Sequence, residues 1–369
     1  MTQIIDYSKL SWQEVAGLDR KIPLILPLGE GFNWERLAST LSHPSQMVIL
    51  PSFPYGWQKS LLYVPEKILN TYLLNLIQSI RDDGFINTYV LSDNGIDLGL
   101  GSLQIVQATN QGIPPTIANS DVEKVVLIPI GHTEQHGFHL PMATDTLIIQ
   151  AISDGVLKTI PEKVFGLPVM PYGVSTHRNS FAGTFNAGGR AFEDFYLAVI
   201  DFLVIKGFRR FYLISGHGGN CSFLVNVVKY AGEKYPHIFC ATSYLYLNTP
   251  QGISLLEKFR QSPIGGMGHA CELETSLMLV IEPNTVKIEK AVDEVEFIST
   301  PSYYMDWIEG GSLIANPPWT DDTKTGAYGA GSLGTSEKGK IWLEAAINEK
   351  IGHIYEIEEQ YQRRLKRKF

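Results

Sequence analysis

The sequence predicts an α/β fold in which a mostly parallel sheet is covered by helices on both faces. Short β-rich apolar runs alternate with longer amphipathic ones. Segments rich in glycine and histidine follow two of the apolar runs, GHTEQHG after 125–130 and GHGGN after 210–215. Ligands of parallel sheets gather at the carboxyl ends of the strands, so both segments stand where a site belongs.

In chain order, residues 125–130 (VVLIPI) read as a buried strand and 145–158 as a helix with Asp145 near its N-terminus. A strand at 164–170, a helix at 189–206, a strand at 210–215 (RFYLIS) and a helix at 220–234 follow. A strand at 238–246 then precedes a loop region and a short helix at 270–281. Each apolar run is strand-sized and each amphipathic run helix-sized.

The chain also resembles itself. LPSFPYG (50–56) nearly repeats as LPVMPYG (167–173), and IPLILPLGEG (22–31) parallels VVLIPIGHTE (125–134). DGFINTYVLSDNG (83–95) parallels KGFRRFYLISGHG (206–218), in the same order. Residues 1–115 are therefore expected to be a shortened, diverged copy of the region within 116–369. That alignment sets Phe32 opposite Glu134, Trp34 opposite His136 and Asn94 opposite His217. The candidate ligands compared in this way are absent from the first copy, so only the second half is expected to carry metal.

The chain has 369 residues, 44% hydrophobic and 18% charged, enough to bury a large core in one or two domains. A formal net charge of −8 argues against nucleic acid as a partner. The run Arg363, Arg364, Lys366, Arg367 and Lys368 reads as a solvated helix end. Cys221, Cys240 and Cys271 form no close pair, as in a reducing compartment. The opening MTQIIDYSKLSWQE lacks a signal-peptide pattern, and no apolar stretch is long enough for a bilayer. A cytoplasmic protein with a small-molecule substrate and no membrane partner is expected.

Three clusters carry chemistry. The segment 131–145, GHTEQHGFHLPMATD, brings Glu134, His136, His139 and Asp145 together directly after a strand. Imidazole and carboxylate donors suit Zn²⁺ or Mn²⁺, and alternate positions of extended backbone set Glu134 and His136 on one side. A polar surface loop is the plainer alternative. In SGHGGN (215–220) the small neighbours of His217 let a ligand approach, and a phosphate loop is the rival reading, without the lysine of a P-loop. In GMGHACELETS (266–276), His269, Glu272 and Glu274 could supply a general acid or base and a further ligand, or form an ordinary capped helix.

EQHGFHLPMATD, YGVSTHRNSFAGT, GHGGN and HACELETS, in that order, resemble the creatininase family, as does the closing segment GAYGAGSLGTSEKGKIWLEAA (326–346). The resemblance covers about residues 122–350. It implies an α/β sandwich-like domain, usually a homo-oligomer, with two divalent metal ions, Zn and/or Mn with Fe as an option. By resemblance Glu134, Asp145 and His217 bind one metal, and His136 with a bridging Asp145 binds the other. Creatininase has a glutamate two residues after the histidine of the GH motif; here Gly219 stands there, so Glu274 is assigned as its replacement, with Glu272 the alternative. His269 matches a histidine implicated in proton transfer, and His177 is a candidate substrate contact, with His139 and Asn220 beside it.

The implied reaction is hydrolysis of a cyclic or linear amide C–N bond by metal-bound hydroxide, with His269 moving a proton to the leaving nitrogen. Opening of a ring ketone on the same scaffold is the alternative activity. A non-catalytic metal- or ligand-binding protein and a nucleotide binder using GHGGN are the rival classes. Tyr303, Tyr304, Trp307 and Trp319 either line a pocket or pack the core.

Overall fold

The structure is a computed structural model; it describes residues 1–93, 103–109, 116–176, 181–308 and 310–367. The first half comprises β1 (Gln3–Asp6), α1 (Trp12–Ala16), β2 (Leu24–Pro27), α2 (Trp34–Thr40), β3 (Gln46–Ile49), α3 (Glu66–Asp82), β4 (Thr88–Asp93) and β5 (Gln104–Ala108). The second runs β6 (Val125–Ile130), α4 (Thr144–Thr159), β7 (Val164–Gly166), α5 (Gly189–Ile205), β8 (Arg210–Ser215), α6 (Gly218–Lys234) and β9 (Phe239–Thr242). It continues through α7 (Pro250–Phe259), β10 (Met267–His269), α8 (Glu272–Ile281), β11 (Tyr328–Gly329) and α9 (Ser336–Arg367).

The α/β class holds, but the parallel strands are divided between two sheets. One has the order β1-β3-β2-β4-β5 and the other β7-β6-β8-β9, with every pairing parallel. The strand expected over 238–246 stops at Thr242, because Leu245 and Leu247 both take left-handed backbone (φ 43° and 60°) that cannot continue a ladder.

The two sheets share order and register. Laying Pro27 on Pro129, Leu50 on Leu167 and Tyr89 on Tyr212 turns the pair Pro27–Leu91 into Pro129–Ile214, and Ile25–Ile49 into Leu127–Gly166. It also turns the isolated bridge Leu28–Phe53 into Ile130–Met170. All three derived pairs are observed.

Alternation along the central strands of the second sheet divides the interior. Val126, Ile128, Phe211 and Leu213 face a core shared with α3, α5 and α6, whereas Val125, Leu127, Tyr212 and Ile214 face α4, α8 and α9. Burial on both faces explains why VVLIPI and RFYLIS are continuous apolar runs. The shared core crosses between the halves: the Phe195 ring lies 4.9 Å from Tyr72 and 5.8 Å from Phe53. No helix among the described residues is long and apolar enough to cross a membrane.

Candidate metal centre

Beyond Ile130 the chain loops through 131–143 and re-enters α4 at Thr144, beside the point where β8 gives way to α6. Glycines permit this close approach. A Cβ on Gly216 would stand 2.2 Å from the Asp145 carbonyl oxygen, and one on Gly131 2.5 Å from the Thr146 Cα. Both obstacles are backbone, which cannot swing aside. Gly216→Ala should therefore destabilise the protein by about 1–3 kcal/mol and displace Asp145, measurable by denaturant unfolding and by metal content.

Glu134, His136, Asp145, His217, His269 and Glu274 are all buried and converge at this point. His217 Nδ1 lies 3.0 Å from Glu134 Oε1 and 3.2 Å from Asp145 Oδ2. His136 Nε2 lies 3.0 Å from Asp145 Oδ1 and 4.0 Å from Glu274 Oε1, while His269 Nδ1 lies 3.6 Å from Glu134 Oε1. Asp145 thus spans the cluster, one oxygen towards each histidine.

The other nitrogen of each ring is committed to the main chain. His136 Nδ1 is 3.1 Å from the Glu134 carbonyl, His217 Nε2 2.9 Å from Val174 O, and His269 Nε2 2.7 Å from Gln135 O. A carbonyl can only accept, so each of these nitrogens donates its proton. The carbonyls orient the rings and leave the opposite nitrogen for the cluster, the arrangement that metal-ligating histidines need.

Charge follows from this geometry. Burial pulls His136 down, but Asp145, Glu274 and Glu134 outweigh it and carry the imidazole up to about 9. Burial likewise opposes protonation of His217, yet Glu134 and Asp145 hold it well above the usual range. Burial, reinforced by Asp145 and Glu134 and opposed by His136, raises Glu274 to about 7. His269 moves the other way, to about 3, through burial and the neighbouring His136 charge. In the metal-free chain, protons on His136 and His217 offset the carboxylates as a cation would.

A raised folded-state pKa stabilises the metal-free protein below the unfolded value near 6.5, and that contribution is lost as pH rises through about 9. A metal must displace the same proton. Metal affinity should therefore rise about tenfold per pH unit, for each proton displaced, between about pH 6.5 and pH 9, as chelator competition would report.

The two candidate glutamates separate cleanly. Glu272 is occupied elsewhere: Lys338 Nζ lies 2.5 Å from its Oε1, and the Gln261 and Ser262 N–H groups donate to its carboxylate. Glu274 turns into the cluster, where its Oε1, His136 and Asp145 form one group of potential metal donors. His139 does not join it: its Nε2 is 2.9 Å from the Thr275 hydroxyl of α8. Asn220 ties two loops to the end of β8, accepting from Val174 N–H and donating to Gly131 O and Ser215 Oγ. His177 and Asn94 lie outside the described residues. Trp319 stands 5.0 Å from the His269 ring, and Trp307 packs in the core at 4.9 Å from Tyr246.

Two further residues are part of the site. His132 stacks on His217 with 4.4 Å between rings, and its Nδ1 accepts from Gly173 N–H, which places its proton on Nε2. The alternation that pairs Glu134 with His136 also includes position 132, a signal the sequence does carry. Gln135 accepts from His269 through its carbonyl, and its side-chain amide is fixed by Gly137 N–H and Gly326 O. Ala270, between His269 and Cys271, is left-handed (φ 50°), at a cost on the order of 1 kcal/mol.

The first half braces this loop system. Leu10 O accepts from Met142 N–H, Tyr7 donates to Gly183 O, and Trp12 Nε1 donates to Thr325 O. The Trp12 ring lies 5.5 Å from Phe138 and 5.2 Å from Phe181.

Comparison with known proteins gives a consistent result. Residues 115–354 match the family model Creatininase, described as creatinine amidohydrolase. The chain is 27% identical over 257 residues to 3-dehydro-scyllo-inosose hydrolase of Thermotoga maritima, covering 64% of this chain and 78% of that protein. It is 27% identical over 239 residues to creatinine amidohydrolase of Pseudomonas putida, covering 60% of this chain and 85% of that one. A solved manganese form of creatininase superposes with a TM-score of 0.53 at 23% identity, covering 64% of this chain and 93% of that one. With the family model spanning well over half of its length and a buried donor set suited to divalent metal, this chain belongs to the creatininase family of hydrolases.

Proposed function

We propose that the protein is a metal-dependent amidohydrolase that cleaves a cyclic or linear amide C–N bond in a small molecule. The observation that carries this reading is the common arrangement of His136, His217 and His269, each giving one ring N–H to a carbonyl and turning the other nitrogen towards buried carboxylates. Glu134, Asp145 and His217 are assigned to one divalent cation; His136, Asp145 and Glu274 are assigned to a second. Zinc, manganese or iron suits such mixed imidazole and carboxylate donors. When bound, these ions supply Lewis acidity towards a carbonyl oxygen and lower the pKa of water.

The chain's own residues do the rest. Asp145 holds the two histidines in register, and the Gln135 carbonyl fixes the His269 tautomer. Burial keeps His269 neutral and its Nδ1 lone pair free, and that atom is assigned to carry a proton to the leaving nitrogen. Trp319 beside His269 narrows the approach. His139 and Asn220 act on a substrate through the loops they hold, and His177 is assigned as its contact. Residues 1–115 are read as a pseudo-copy that shapes the site without ligands, supported by the matching registers and by the bracing from Tyr7, Leu10 and Trp12. The assembly is proposed to be a cytoplasmic homo-oligomer.

Likeness to the inosose hydrolase favours a second reading, opening of a ring ketone. The test is turnover by metal-reconstituted protein of a panel containing creatinine, linear amides, lactams and cyclic ketones. Amine release from a linear amide, or ring opening of creatinine or a lactam, supports the first reading and ketone opening alone the second. A metal-replete protein inert towards the whole panel would point to a non-catalytic binding protein.

A further inference from the structure

His132 reaches the centre without an assigned task. It is wholly buried, and one of its ring nitrogens groups with donor atoms of Glu134 and His217, all within 4.8 Å of one another. Its Nδ1 accepts from Gly173 N–H at 2.9 Å, however, so the ring is neutral and Nε2 carries the proton. One nitrogen is spent on the main chain and the other has no lone pair to give. His132 is therefore a neighbour of the donor set and not a member of it.

What it touches is His217. The two rings lie 4.4 Å apart with 33° between their planes. Both are hung from one stretch of main chain, since Gly173 N–H fixes His132 and Val174 O accepts from His217 Nε2 at 2.9 Å. A single hydrogen bond fixes one point of a ring and leaves its plane able to turn about that bond. For His217 the His132 ring blocks the turn. Gly219 closes on the same hydrogen bond, because a Cβ there would stand 2.4 Å from both His217 Nε2 and Val174 O. His132 is itself firmly seated: its carbonyl accepts from the hydroxyl of Thr146, the residue after Asp145, at 2.9 Å. His136 has a different ring neighbour, His269 at 4.2 Å.

We propose that His132 is a positioning residue whose ring keeps His217 Nδ1 aimed at Glu134 and Asp145. It thereby sets the affinity for the cation assigned to those three residues, and leaves the cation of His136, Asp145 and Glu274 alone. The inference rests on the metal-centre reading above.

The experiment measures Zn²⁺ stoichiometry and affinity by chelator competition, with a thermal melt to verify folding. His132→Asn removes the ring but keeps an oxygen that can accept from Gly173 N–H. It should weaken one of two cations by about 10–100-fold, the usual cost of losing an outer partner of a ligand. Combined with Glu274→Gln, it should weaken both. His132→Phe restores a flat ring and should return most of the lost affinity; if the Asn variant does not fold, the Phe variant alone decides. Unchanged affinity in His132→Asn, or a Phe variant that binds Zn²⁺ 10-fold or more weaker than wild type, would overturn the proposal. So would a double variant that keeps one cation at wild-type strength, which would put His132 on the Glu274 side. Complete loss of the cation would make His132 a ligand and overturn it too. A wild type that takes up no metal would sink the metal-centre reading itself, and elemental analysis shows that before any variant is made.

Discussion

Asp145→Asn should empty the metal centre, lowering metal affinity by at least about 100-fold and activity to background. Loss of an outer-shell partner alone costs about 10–100-fold, and Asp145 reaches both sides of the cluster through its two oxygens. The substitution preserves shape, so the effect is one of charge and donor type. An amide nitrogen would replace one oxygen and could only donate, towards His136 or His217. Elemental analysis after reconstitution, beside a thermal melt to verify folding, gives the readout. Full metal occupancy in the variant would remove Asp145 from its assigned role.

The second large effect is expected at His269. His269→Ala should lower kcat by about 10²–10⁴-fold while both metals remain bound, the range typical of losing a positioned general acid or base. Its Nδ1 lies 3.6 Å from Glu134 Oε1, and its ring 4.2 Å from His136, close enough for it to be grouped with them as a potential ligand. Metal content separates the two roles. Retained metal with lost turnover assigns proton transfer; loss of metal would make His269 a ligand.

Much of the candidate centre was legible because its potential ligands lie close together in sequence, just after apolar strands. Glu134, His136, Asp145 and His217 needed only the positions of two strand ends. The choice between Glu272 and Glu274 was not legible. Residues two apart lie on different faces of a helix, but which face turns inward depends on Lys338, a partner far along the chain. The early end of β9 was hidden for a similar reason. Nothing local distinguishes SYLYL from the rest of a strand, and only tertiary packing holds Leu245 and Leu247 left-handed. The division into two sheets was obscured because each half has the same alternation of elements, which fixes class but not which strands pair.

The aromatic contact of Phe195 with Tyr72 and Phe53 has a consequence for how this chain can change over time. The first half bears no assigned ligand, so its surface is free to vary except where Tyr7, Leu10 and Trp12 brace the loops of the centre. Its interior is not free, because Tyr55, Tyr72 and Phe53 supply one wall of the core that backs the sheet carrying the centre. Detaching it would bare that wall to water and leave a sticky aromatic face. The half without assigned ligands is thus retained as ballast, bound to its neighbour by the need to fold.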